Sequence, residues 1–244
     1  MSLPAVVASP LIDAILRPVR GHMAFESCVE QLGSAIQLGI FEPGSKLPPE
    51  RILAEKLEVS RATLREAISA LRSAGLVSTT RGRGGGTVVG LVENARLPDQ
   101  ARNADRQEEI ADVLIFRRVI EPGACYSAAS SALTDAARSR LTDSLADTEK
   151  ATAPADYRQA DARLHLTIAA LCGSGELTKS SSLIQNKVHQ FLAEIPFLQM
   201  NITNSNQQHR KIVRAILDGE ADTARFVMEE HCDGTAALLK GLLK

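Results

Sequence analysis

Tryptophan is absent from this chain, and only two tyrosines and six phenylalanines occur in 244 residues. A chain so poor in aromatics and so rich in alanine and leucine reads as mostly helical. Cysteine is scarce and scattered, at 28, 125, 172 and 232, with no CxxC pair. That spacing offers neither a cysteine zinc site nor a disulfide framework, and points to reduced thiols in a cytoplasmic protein. No apolar run reaches about 18 residues, which excludes a membrane-spanning helix. The mildly apolar stretch from Leu3 to Leu16 lacks a basic region before it and a small-residue cleavage site after it, so it is not read as a signal peptide. The whole chain carries a net charge of only −1, which by itself predicts no partner.

The distribution of charge says more than its sum. Between Pro43 and Gly90 stand eight Lys/Arg and four Glu, net +4, against 20 basic and 25 acidic groups elsewhere. A basic segment on an acidic body points to a localised anion-binding surface. The length allows two ordinary domains, and the patterning divides accordingly. Residues 1–22 read as an N-terminal arm, 23–92 as one domain, 93–108 as a linker without apolar period, and 109–244 as a second domain.

In the first domain, apolar residues at 25, 28, 29, 32, 35 and 36 have helical spacing. The turn "FEPG" follows, and then "PPERILAEKLEV", a helix with prolines at its entry and Ile52, Leu53 and Leu57 on its apolar face. Ser60 is a good N-cap for a third helix over 61–74, with Leu64, Ile68 and Leu71 facing inward and Gly75 ending it. "LVSTT", "RGRGGG" and "TVVGLV" then read as a β-hairpin with a glycine-rich tip. Helix, helix, helix, hairpin is a winged helix-turn-helix. In that fold the third helix enters the major groove by its N-terminal end. Arg61 and Arg65 share one face there, with Ser60 and Thr63 beside them. An arginine pairs bidentately with guanine, worth roughly 1–3 kcal/mol of discrimination. Arg51 is placed for a phosphate or nearby base, and Arg81 with Gly82 for close approach of the wing to the backbone or minor groove. The plainer reading, a solvated face paired with Glu55 or Glu66, suits an isolated R-x-x-x-R but not one set in this frame.

From Ile110 onward helical patterns dominate, near 109–131, 134–150, 155–172, 176–195, 203–218 and 220–240. Short breaks between them predict an all-α antiparallel six-helix bundle. Asp161 and His165 lie four apart on one helix, with His209 and His231 on two others. One carboxylate and three imidazoles converging inside a bundle suit a divalent metal, with positions left for water or ligand. Zinc is the first choice, and nickel, manganese or iron remain open. Arg117 and Glu121 are also four apart, the spacing of a structural ion pair along one helix.

Phe41–Val89 resembles the N-terminal domain of the GntR family of bacterial transcription regulators. The match runs through the Pro-Gly turn, "LPPERILAEKLEVSRATLREAISALRSAGL" and the glycine wing. It implies DNA contacts at Arg51, Ser60, Arg61, Thr63, Arg65, Arg81 and Gly82. Ala62 departs from the hydroxyl residue that relatives often carry, and Gly84–Gly86 lengthen the wing tip. Arg117-x-x-x-Glu121, Asp161-x-x-x-His165, His209 and His231 resemble the landmarks of the FCD effector domain of the FadR subfamily, and six helices without a seventh resemble its VanR-type branch. The resemblance implies a metal held by Asp161, His165, His209 and His231. It also places Arg117 at the effector, where a guanidinium beside a metal traps a small carboxylate. His22 and His189 match no ligand position. Ser174 stands where relatives have Asn.

These readings lead to a ligand-responsive regulator rather than an enzyme: a cytoplasmic homodimer on a double-stranded operator with inverted repeats, a repressor by the commoner family mode. The alternatives are a metal-dependent hydrolase, disfavoured for want of a second suitably spaced carboxylate, and a regulator whose metal only stiffens the bundle.

Overall fold

The structure, a computed structural model, describes residues 12, 16–19, 23–37, 39–80, 86–90 and 100–243, with side chains from 105 onward in the last stretch. The expected arm, the wing tip with Arg81 and Gly82, most of the expected linker, and His22 fall outside the described residues. The chain forms two compact units, one of residues 1–99 with 234–244 and one of residues 100–233.

The first unit contains α1 (Ala24–Gln37), α2 (Glu50–Leu57), α3 (Arg61–Ser73), β1 (Val77–Thr80) and β2 (Gly86–Val89). α1 buries Phe25, Cys28, Val29, Leu32 and Ala35, the helical stripe expected of it, and packs on α3. α2 buries Leu53, Ala54 and Leu57, while Ile52 is only half-buried. It ends at Glu58 in the left-handed conformation (φ 53°). The turn to α3 is closed by Ser60, whose hydroxyl accepts from the Thr63 amide at 3.0 Å. α3 buries Leu64, Ala67, Ile68, Ala70 and Leu71 and stops before Gly75, whose φ of 73° suits a residue without Cβ. β1 and β2 pair antiparallel from Val77↔Val89 to Thr80↔Gly86. The segment 44–47 braces the hairpin: the Leu47 amide donates to Thr87 O and the Val89 amide to Ser45 O. The winged helix-turn-helix is thus the fold of this unit.

The second unit is all-helical: α4 (Gln100–Ala129), α5 (Asp135–Lys150), α6 (Pro154–Leu171), α7 (Gly175–Ala193), α8 (Gln199–Asp218) and the first half of α9 (Ala221–Leu242). Acidic residues stand in the first turns of α5, α6 and α9 at Asp135, Asp156 and Asp222, where they favour the helix dipole. Thr134 caps α5 and Ser174 caps α7, each hydroxyl accepting an amide N–H. Ser174 therefore fills a capping role with its shorter side chain. α6 packs against α4, α5 and α7. The core joins Cys125 and Ala128 of α4, Leu141 of α5, Leu164 and Ile168 of α6, Ile212 and Ile216 of α8, and Val227 and Met228 of α9.

Two boundaries differ from the sequence expectations. α4 begins at Gln100, inside the segment read as linker. Its first turns are held by charge rather than by an apolar stripe. Arg106 pairs with Glu109 at 3.0 Å and with Glu194, and lies 4.7 Å over the Phe191 ring. Lys187 reaches Glu109 at 2.5 Å. The second difference is in α9, whose residues from Gly234 on belong to the winged unit.

Leu141 is fully buried in the helical core. Leu141→Ala should destabilise by about 2–5 kcal/mol, part transfer and part cavity, measured as a lower urea midpoint followed by circular dichroism.

Candidate metal centre

Asp161 and His165 project from the same face of α6 because four residues make about one turn. His209 comes from α8 and His231 from α9. One ligand atom from each of the four lies within 4.8 Å of the others. The ring centroids are 5.5 Å (165–209), 5.1 Å (165–231) and 4.6 Å (209–231) apart. Asp161 Oδ1 is 3.4 Å from His209 Nε2, and its Oδ2 is 4.0 Å from His165 Nε2. Ligands on a coordination sphere of zinc size stand roughly 3–4 Å apart, so the four approach that spacing.

All three histidines are buried, and Asp161 is nearly so. Both ring nitrogens of His165 and of His209 lack a hydrogen-bond partner of good geometry. Buried polar nitrogens left this way cost free energy unless something else takes their lone pairs. Burial pushes the His209 imidazole down to about 4, with Asp161 opposing, and drives His231 well below its usual range, helped by the neighbouring His209 and His165 rings. Both rings are thereby kept neutral at pH 7, the form that binds a metal. The unsatisfied nitrogens, the neutral imidazoles and the single carboxylate fit a divalent cation of the borderline type.

A ring of polar groups surrounds the four. Glu121 Oε2 sits 3.0 Å from His165 Nδ1, leaving Nε2 toward Asp161. Arg117 Nε donates to Glu121 Oε2 at 2.9 Å, and Gln185 Nε2 donates to Glu121 Oε1. Burial alone would raise the Glu121 carboxyl, but Arg117 and His165 hold it well below the usual carboxylate range. His231 Nδ1 is 3.2 Å from Gln208 Oε1. Such outer partners fix the ring orientation of a metal-binding histidine. Arg117 is 1% exposed, and its Nη1 lacks a partner. The pairing with Glu121 and a guanidinium nitrogen without a hydrogen-bond partner are therefore both present.

Gln185 and Gln208 escaped sequence reading. Gln185 had one visible signal, a long amide on the buried stripe of α7 with Ser181, Ile184 and Val188. Gln208 had none beyond preceding His209. His189 is not among the clustered ligands.

The expected DNA-contacting residues that are described lie together at the start of α3 and on α2. Arg51, Ser60, Arg61 and Arg65 are exposed and Thr63 is half-buried. Arg51 bonds Glu55 at 2.7 Å and Arg65 bonds Glu50 at 3.0 Å. These surface pairs are worth little to stability.

With both units in view, comparison with known proteins gives a consistent class. Residues 26–89 match the family of bacterial regulatory proteins called the gntR family, and residues 112–234 match the FCD domain. A regulatory protein of Escherichia coli (strain K12), named for the L-lactate dehydrogenase operon, is 32% identical over 78% of this chain and 76% of its own. The HTH-type transcriptional regulator LutR of Bacillus subtilis (strain 168) is 27% identical over 84% of this chain and 96% of its own. RmpR of Mycobacterium gastri, an HTH-type regulator by name, is 29% identical over 91% and 82%. The chain belongs to the GntR family and carries an FCD domain. It is a DNA-binding transcription regulator, not an enzyme. No helix among the described residues is long and apolar enough to cross a membrane.

A centre of this kind has measurable consequences. Metal present at a hundred times its Kd stabilises by about 2.7 kcal/mol, so stripping it with EDTA should lower the melting temperature by roughly 5–10 °C in differential scanning calorimetry. His209→Ala should abolish stoichiometric metal in elemental analysis. Glu121→Gln, which leaves shape but removes the charge beside His165, should weaken metal affinity by roughly 10–100-fold.

Proposed function

We propose that this regulator binds an inverted-repeat operator as a homodimer and represses until a small carboxylate reaches a divalent metal held by Asp161, His165, His209 and His231. The observation that carries this reading is the convergence of unsatisfied buried nitrogens. His165 Nε2 and His209 Nε2 face Asp161 at 4.0 and 3.4 Å, and Arg117 Nη1 belongs to the adjoining Arg117–Glu121 pair. A bound cation supplies a Lewis-acidic position for one carboxylate oxygen. The Arg117 guanidinium is suited to hold the other, while Glu121 and Gln185 keep it oriented. A long acyl ligand suits this polar lining poorly. The relative named for the L-lactate dehydrogenase operon is in keeping with a small acid as effector.

On the DNA side, Arg61 and Arg65 read bases, Ser60 and Thr63 contact the backbone or bases near the start of α3, and Arg51 takes a phosphate or adjacent base. Arg81 and Gly82 act from the wing. Two winged units on a symmetric operator require a two-fold dimer. The outer face of α4 supports one: Ile115 and Val119, one turn apart, are about two-thirds exposed, with Tyr126 further along the same helix. Four free cysteines suit the reducing cytoplasm where such a regulator works.

Arg65→Ala should weaken binding to an operator selected from random duplexes by about 1–3 kcal/mol in a gel-shift titration; wild-type affinity would refute the recognition-helix assignment. Arg117→Lys, which keeps a positive charge beside Glu121 but cannot fork onto a carboxylate, should keep its metal yet lose release from the operator by small carboxylates. Val119→Glu should shift the protein to a monomer in light scattering with helicity intact. A metal that serves stability alone is the second reading, favoured by its deep burial. Under that reading, chelation lowers the melting temperature but leaves ligand-driven release unchanged.

A further inference from the structure

α9 is a single helix from Ala221 to Leu242, yet its two halves belong to different units. Its first half carries His231, buried among the other candidate ligands. Three residues later the helix enters the winged unit at Gly234, where an added Cβ would lie 3.3 Å from Met23 Sδ and 3.8 Å from Glu26 Cγ. Two turns further on, it presses on α1 backbone to backbone. A Cβ on Gly241 would come within 2.7 Å of Val29 O, and one on Gly33 within 2.1 Å of Gly241 O. Gln37 Nε2 donates to Leu243 O at 3.1 Å and to Gly241 O at 3.5 Å, and Lys240 lies 3.9 Å from Glu30. Leu238, Leu239 and Leu242 are buried.

We infer that α9 is the element by which occupancy of the metal site acts on the DNA-binding unit, with the Gly33–Gly241 crossing as its point of purchase on α1. This rests on the reading of Asp161, His165, His209 and His231 as a metal site. Three features of the chain carry it. A helix is stiff over the roughly 15 Å that separate residues ten apart, so His231 cannot be re-aimed without turning or shifting the residues that follow. The crossing at Gly241 is made by main-chain atoms, which cannot swing aside as long side chains do. α1 in turn packs on α3, the helix that carries Arg61 and Arg65. A ligand that favours one setting of His231 therefore favours one setting of α1, which is the differential interaction that coupling requires.

Hydrogen exchange of the full-length protein, stripped of metal and then loaded with zinc ion alone, tests this. In the wild type, zinc should slow exchange at least fivefold not only around residues 161–165, 205–213 and 225–233 but also over 234–243 and 29–37. Inserting Gly-Ser-Gly between Asp233 and Gly234 interrupts α9 between ligand and crossing. That variant should bind zinc within threefold of wild-type affinity by calorimetry, while the slowing stops at residue 233. Gln37→Ala, which removes only the bond to the helix end, should at least halve the slowing over 29–37. Zinc bound in the wild type with slowing confined to residues 100–233 would overturn the coupling and leave the metal site standing. So would an insertion variant whose 29–37 segment still responds as in the wild type. Absence of zinc binding would overturn the site and the coupling together.

Discussion

A guanidinium and a carboxylate are buried together in the helical unit, and the polar groups around them take their places from that pair. Arg117 and Glu121 are both almost fully enclosed. Two charges removed from water cost several kcal/mol each, and their attraction repays this only with good geometry and further hydrogen bonds. Glu121 gathers those bonds: from Arg117, from Gln185, and a close approach to His165 Nδ1. Orienting His165 is thus a by-product of satisfying Glu121. Arg117 remains incompletely satisfied at Nη1. A pair balanced in this way tolerates one more anion better than one fewer, which is the electrostatic condition for a site that takes up a carboxylate.

The apolar core around the pair explains why the four candidate ligands are held so close. Leu164 and Ile168 on α6, Ile212 and Val213 on α8, and Met228 and Cys232 on α9 pack together. Each is within a few residues of a ligand, so the packing that fixes the helices also fixes the ring positions. The same burial keeps the His209 and His231 imidazoles neutral. Those two rings are therefore ready for a cation without a proton first having to leave.

How much of this was legible in the sequence depends on whether the signal was local. The Ser60 cap, the apolar stripe of α3 and the Gly75 stop are neighbours in the chain, and the winged unit could be read directly from them. Asp161 and His165 were legible for the same reason, one turn apart on α6. Their meeting with His209 and His231 was an inference from resemblance, because nothing within α8 or α9 announces a partner 44 or more residues away. The start of α4 went unread because residues 100–108 have no apolar period; their helix relies on good helix formers and on Arg106 and Lys187 bridging to Glu109 and Glu194. Gln185 and Gln208 acquire their roles only from tertiary neighbours.

The end of α9 was the least legible part, and the reason is physical. Its sequence, "GTAALLKGLL", is apolar and helical under any assignment, and would complete a six-helix bundle on its own evidence. The tightest contact that seats these residues in the winged unit is the meeting of Gly241 with Gly33, two residues whose signal is the lack of a side chain. Helix pairs usually recognise each other through ridges and grooves of side chains at about 8–10 Å between axes. A crossing at glycine brings the main chains closer, and its specificity lies in excluded volume. Such a contact has little tolerance: it is either seated or lost. A chain that passes from one unit to the other through a continuous helix seated on glycine has in that helix a passage able to carry a displacement.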